Sequence, residues 1–138
     1  MWAFFFRKLA EFLDGKPCQA LIAPVDIFLP DDDDGAQSVV QPDVLVVCHP
    51  DIIKDDGIHG APDFIAEVLS DSTAYKDLTQ KKALYERSGV REYWILNPDS
   101  GSTLVYVLEN GRYLPARELL RGNPVLSSAL DGFSFTVV

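Results

Sequence analysis

Two short stretches, residues 44–48 (Val-Leu-Val-Val-Cys) and residues 64–69 (Phe-Ile-Ala-Glu-Val-Leu), do most to narrow the folds open to this chain. Each is a nearly continuous apolar run with β-branched residues, the pattern of a strand covered on both faces. Pro42 has no amide hydrogen and belongs at the start of the first strand. That places Asp43 at the strand's entrance. Glu67 interrupts the second run, among Ile65, Val68 and Leu69, where a carboxylate is costly to bury unless it is paired or bound to a cation. Glu67 is therefore the most informative residue of the chain. Its two readings are a buried salt bridge to a basic residue of the following helix, and a ligand for a cation.

The next segment supplies that basic residue. Asp71, Ser72 and Thr73 offer N-capping oxygens and Gly89 a C-terminal stop, so a helix is expected between them. Asp77, Lys81 and Tyr85 recur every fourth residue and share one face, with Leu78 and Leu84 on an apolar flank. Asp77 and Lys81 also fit a stabilising surface pair. Lys82 points a quarter-turn or more away from Lys81, so Lys81 is the lysine expected to face the carboxylates of the sheet. Two strands that each carry a carboxylate, and a helix that aims a lysine back at them, are the minimum kit for binding a divalent metal and attacking a phosphodiester.

Elsewhere the chain supplies layers around those strands. Trp2, Phe5, Leu9 and Phe12 fall at helical spacing before a stop at residues 14–17 (Asp-Gly-Lys-Pro). The apolar run at the N-terminus is too short for a signal peptide or a membrane span, and no membrane partner is expected. Phe4 and Phe6 face other sides of that helix, and a second copy of the chain covering them would make a homodimer. Residues 18–29 are β-prone and interrupted by Pro24, which suggests two short strands or one bent edge strand. Asp26, within them, either points outward or leans into the shared site. Asp31 to Asp34 read as a solvated loop without the spacing or closing glutamate of an EF-hand. Residues 49–60 read as a loop in which His49 and His59 are polar surface.

In the C-terminal half, residues 92–96 form a third buried-type strand containing Tyr93 and Trp94. Residues 97–101 carry a strong turn signal, residues 103–109 another strand, and Asn110-Gly111 a hairpin turn. Phe133, Phe135 and Val137 alternate in a final strand with one buried face. Strands before a long helix, a strand after it and then hairpins give an α/β sandwich with a mixed sheet. At 138 residues a single domain is expected.

The formal charge of -9 is the wrong sign for a protein that grips nucleic acid mainly by neutralising phosphates. A metal site, however, needs carboxylates, and a bound cation reverses the local potential. Cys18 and Cys48 have neither the density of a disulfide framework nor a metal-ligand spacing, which points to reduced thiols in a cytoplasmic setting.

Taken in order, Gln41-Pro42-Asp43-Val44, Ala61-Pro62-Asp63, Glu67-Val68-Leu69-Ser70, Asp77, Lys81, Tyr85 and Gly89-Val90-Arg91-Glu92-Tyr93-Trp94 resemble the Uma2 family, which is grouped with restriction-endonuclease-like PD-(D/E)XK nucleases. The resemblance implies an α/β fold with a restriction-endonuclease-like mixed β-sheet flanked by helices, and C-terminal β-hairpins. It makes Asp43 the aspartate of the first half-motif and Glu67 the acidic residue of the second, with Lys81 where the family's helix lysine sits. Asp43 and Glu67, with the main-chain carbonyl of Val68, are then the expected ligands of Mg²⁺ or Mn²⁺. Glu67 and Lys81 are the expected catalytic residues, and Ser70 and Tyr85 support them by hydrogen bonds. The implied reaction is hydrolysis of a phosphodiester in nucleic acid, with DNA as the expected substrate.

Two features depart from the family pattern. Leu69 stands where a lysine is expected two residues after Glu67, so Lys81 reaches in as a migrated substitute. The family's usual N-terminal segment, with its glutamate and histidine, is expected to be missing. The alternative is a catalytically inactive nuclease-fold binding or dimerisation module in which Glu67 and Lys81 form a buried ion pair. A hydrolase of small phosphorylated substrates ranks last, since no phosphate-cradling glycine loop is present.

Overall fold

The computed structural model describes residues 2–30, 37–70 and 75–137. Residues 31–34 and 71–73, read above as an acidic loop and a helix cap, lie outside the described residues, as does the side chain of Asp77. The chain opens with α1 (Trp2–Leu13), β1 (Gln19–Ile22), β2 (Ile27–Pro30), β3 (Gln37–Val40) and β4 (Val44–Val47). A 3-10 turn (Pro50–Ile52) leads into β5 (Ile53–Lys54) and β6 (Gly57–His59), followed by β7 (Phe64–Val68), α2 (Tyr75–Ser88) and β8 (Glu92–Leu96). The remaining strands are β9 (Thr103–Glu109), β10 (Arg112–Tyr113), β11 (Arg117–Leu119), β12 (Pro124–Leu126) and β13 (Ser134–Thr136).

The central sheet is seven-stranded, in the order β1-β4-β7-β8-β9-β10, with β11 also on β9. β7 and β8 run parallel, which needs a crossover connection, here α2, and their neighbours pair antiparallel. The sheet is therefore mixed, as expected. Every residue of β4 and of β8 is buried, and so are the first four residues of β7. The continuous apolar runs in the sequence are thus strands covered on both sides.

The covering layers follow from the two-residue period of each strand. On one face Val44, Val46, Phe64, Ala66, Trp94 and Leu96 meet α1 through Phe5, Leu9 and Leu13. Phe133 and Phe135 of the C-terminal segment complete that layer. The other face carries Leu45, Val47, Ile65, Tyr93 and Ile95, packed against Leu78, Leu84 and Tyr85 of α2. Along α1 the buried positions are Phe5, Leu9 and Leu13, with Phe12 only half-buried, so the stripe follows a four-residue step. Phe4 is exposed, and Arg7 and Lys8 carry their cations 5.4 and 5.6 Å from its ring centre.

Three sequence expectations are refined or corrected. Pro24 divides residues 18–29 into two strands in different sheets, since β2 joins a four-stranded sheet in the order β3-β2-β6-β5. Residues 49–60 are consequently no plain loop. Ile58 is buried against the same apolar cluster as Ile27 and pairs with it in parallel. Gly57 has φ of 142°, and a side chain there would run into the Asp26 carbonyl. Cys18 and Cys48, expected as thiols, form a disulfide. The register that pairs Gln19 with Val47 brings the two cysteines face to face one step further along, which no sequence spacing reveals.

The C-terminal turns are as read: Asn110 and Gly111 both take positive φ, 55° and 79°, between β9 and β10, the requirement of a type I′ hairpin. Among the described residues no helix is long and apolar enough to cross a membrane.

Candidate active site

β4 and β7 pair antiparallel with Val44 opposite Ala66 and Leu45 opposite Ile65. One step beyond, the ladder brings Asp43 opposite Glu67. By the strand period Asp43 follows Leu45, and Glu67 follows Ile65, onto the face covered by α2. The Val68 amide donates to Asp43 Oδ2 at 2.7 Å, fixing the aspartate to the end of β7.

Glu67 is 5% exposed and is approached from three elements. Lys81 Nζ donates to Oε1 at 2.8 Å. Tyr93 OH, from β8, donates to Oε2 at 3.1 Å, and Tyr85 OH, one helical turn beyond Lys81, lies 3.4 Å from the same oxygen. The four-residue spacing that put Lys81 and Tyr85 on one face of α2 thus turns both toward the carboxylate. The Lys81 side chain is 29% exposed, so its ammonium reaches Glu67 from the solvent side. Lys82 turns away as expected and lies 4.9 Å over the Tyr106 ring.

Burial pushes the Glu67 carboxyl above its ordinary range. Lys81 and the Tyr93 hydroxyl oppose that rise, and the nearby Asp43 charge adds to it. Burial also drives the Tyr85 and Tyr93 hydroxyls well up, and the Glu67 charge drives them further, so both remain protonated donors. Two carboxylates opposite one another on neighbouring strands repel. Among the described residues one ammonium, that of Lys81, reaches Glu67, with the Asp43 charge close by.

The remaining candidates stay outside this group. Asp63 is buried, but its Oδ2 accepts from the Cys48 amide at 2.7 Å and its Oδ1 from Arg91 Nη1 at 3.5 Å, so it secures the exit of β4. His49 lies 3.9 Å from the same Oδ1. Asp26 accepts from Gln41 Nε2 at 2.6 Å. His59 pairs with Asp56 at 2.8 Å and stacks on Phe28. Among the described residues no three His, Cys, Asp or Glu side chains gather as a metal-holding group. The donors present at the site are the two carboxylates of Asp43 and Glu67. As hard oxygen ligands they suit Mg²⁺, which keeps several waters and takes only one or two carboxylates.

Sequence reasoning missed two residues here. Tyr93 was visible only as a strand aromatic, although it stands opposite Ile65, two residues before the Ile95 that faces Glu67, and so on the Glu67 side once β7 and β8 are in register. Glu92 is fully buried on the opposite face, where it accepts from Trp94 Nε1 at 2.8 Å, Ser127 Oγ at 2.6 Å and the Ala129 amide at 2.9 Å. A second glutamate at the head of an apolar run was the available signal.

No curated protein matches the chain. The crystal structure described as "a putative nuclease belonging to DUF820" from Anabaena variabilis shares the fold, with a TM-score of 0.73 and 15% sequence identity. The likeness covers 93% of this chain and 70% of that one. The Uma2 family, described as "Putative restriction endonuclease", matches residues 3–138. A match over that span, on a mixed sheet that pairs the two acidic strands and packs the lysine helix across them, establishes the conclusion: this chain belongs to the Uma2 family of restriction-endonuclease-like nucleases.

Proposed function

We propose that the protein is a Mg²⁺- or Mn²⁺-dependent endonuclease that hydrolyses phosphodiester bonds in DNA. The observation that carries this reading is the meeting of Asp43, Glu67 and Lys81 at one end of the central sheet. Asp43 and Glu67 would hold the ion. A divalent cation bound there supplies charge for the phosphate and lowers the pKa of a water.

The chain's own groups do the rest. Lys81 places a cation beside the reacting phosphate, where it orients the attacking water and stabilises the charge that develops on the phosphoryl oxygens. Tyr93 and Tyr85 hold Glu67 by Oε2, which fixes the carboxylate plane. Asp43 is held by the Val68 amide and leaves its second oxygen to a ligand. A cation between the carboxylates also accounts for placing two like charges opposite each other on buried strands.

One observation favours the other reading, an inactive nuclease-fold module: Oε1 of Glu67 already pairs with Lys81 and Oε2 with two hydroxyls. Calorimetric titration with Mn²⁺, with plasmid cleavage measured in parallel, separates the two. The nuclease reading expects saturable binding that Glu67→Ala abolishes, together with metal-dependent strand breaks. The absence of specific Mn²⁺ binding by the intact protein would leave the inactive module standing.

A further inference from the structure

Leu69 stands two residues beyond Glu67 and joins the same apolar cluster on the α2 side of the sheet. Its amide donates to the Leu96 carbonyl at 2.8 Å, which carries the β7–β8 alignment past the end of β7. There Leu69 forms one wall of a cavity of about 180 Å³, with Leu78, Ile95, Leu104, Tyr106 and Lys82 as further walls. That space is many times what a single water needs. The lining is apolar and aromatic except at the helix side. There Lys82 holds its ammonium over the Tyr106 ring, and its neighbour Lys81 pairs with Glu67.

We propose that this cavity receives one nucleobase, turned out of the stack beside the phosphate at the Asp43–Glu67 site. This rests on the nuclease reading above and adds where the substrate's base goes. Leu69 takes the place of the lysine expected there and supplies an apolar wall, while the amine comes from α2. Apolar side chains cover the faces of an extruded base, and an aromatic ring gives it a stacking surface. Lys82 moves from the Tyr106 ring to the phosphate flanking the extruded nucleotide, which exposes the ring to the base. In a chain of charge -9, Lys82 lines this cavity while its neighbour Lys81 lies at Glu67, so one cation stands at the base site and the next at the site of cleavage.

The test uses the full chain with Mn²⁺ and DNA duplexes in which 2-aminopurine is moved one position at a time past the cleaved bond. Rapid mixing is expected to give a several-fold rise in fluorescence before strand cleavage, confined to one position beside the cut. Thr79 lines the same cavity and is exposed, so Thr79→Trp blocks the space from the surface and should abolish the rise. Should that variant fail to fold, Leu104→Phe fills the cavity from the sheet side with the same expected loss. Cleavage by the wild type without a rise at any position overturns the base site and leaves the nuclease intact. A full rise in the folded blocked variant overturns the base site as well. If the wild type neither binds nor cleaves any duplex, the nuclease reading fails and the base site falls with it.

Discussion

The central sheet buries two glutamates, one on each face, and they live in opposite surroundings. Glu92, on the α1 side, is wrapped by the segment between β12 and β13, and receives Ser127 Oγ, the Ser128 and Ala129 amides and Trp94 Nε1, with no cation paired to it among the described residues. Glu67, on the α2 side, has one flexible lysine, two tyrosine hydroxyls and a second carboxylate for a neighbour. Main-chain amides held in place by a folded segment satisfy a carboxylate permanently. Glu67 is instead under tension, its carboxyl driven up by burial and by Asp43. The contrast separates a carboxylate that fastens the C-terminal segment to the sheet from one held by side chains alone, the one to which the proposed function gives a ligand.

The largest effect should separate the two in activity. Glu67→Ala and Lys81→Ala are expected to lower Mn²⁺-dependent plasmid cleavage by about 10²-fold or more. Glu92→Gln should leave the activity of the folded fraction near wild type. In chemical denaturation at neutral pH the ranking reverses. Glu92→Gln turns an amide toward buried donors and should cost about 1–3 kcal/mol.

Glu67→Gln, measured in EDTA, turns an amide toward the Lys81 ammonium as Glu92→Gln does toward its donors, but its cost should depend on pH. The folded-state pKa of Glu67 is raised, so the carboxyl's favourable contribution is present below its unfolded value of about 4.3 and is lost as pH rises through the folded pKa. Glutamine does not ionise and avoids that loss. The cost should therefore shrink from acid toward neutral pH, and a cost independent of pH would remove burial of the Glu67 charge as its cause.

The smallest effects lie in the supporting groups. Tyr93→Phe removes a hydrogen bond that opposes the rise in the Glu67 pKa, so the acid limb of the cleavage profile should move to higher pH. Ser127→Ala, the matching deletion at Glu92, should cost about 1 kcal/mol in a melt and leave that limb where it is.

What could be read from the sequence divides along similar lines. Glu67 announced itself as a charge in an apolar strand, and Lys81 with Tyr85 as one face of a helix, because both signals are local. Ile58 could be recognised as core only through its pairing with Ile27, far back in the chain. The Cys18–Cys48 bond and the approach of Tyr93 to Glu67 depend likewise on register between strands, which neither run specifies alone. Glu92 carried the same local signal as Glu67, and only the remote serines that surround it show it to be different.

One consequence follows from the single crossover β7–α2–β8. Glu67, Lys81, Tyr85 and Tyr93 all belong to that contiguous unit, and Asp43 arrives from outside it, just ahead of β4. The salt bridge and its tyrosines can therefore assemble locally, whereas the paired carboxylates exist only once β4 has docked along β7. Occupancy by a divalent cation would then report completion of the sheet: ions would bind the finished molecule in preference to a partly assembled one, and so hold β4 in place.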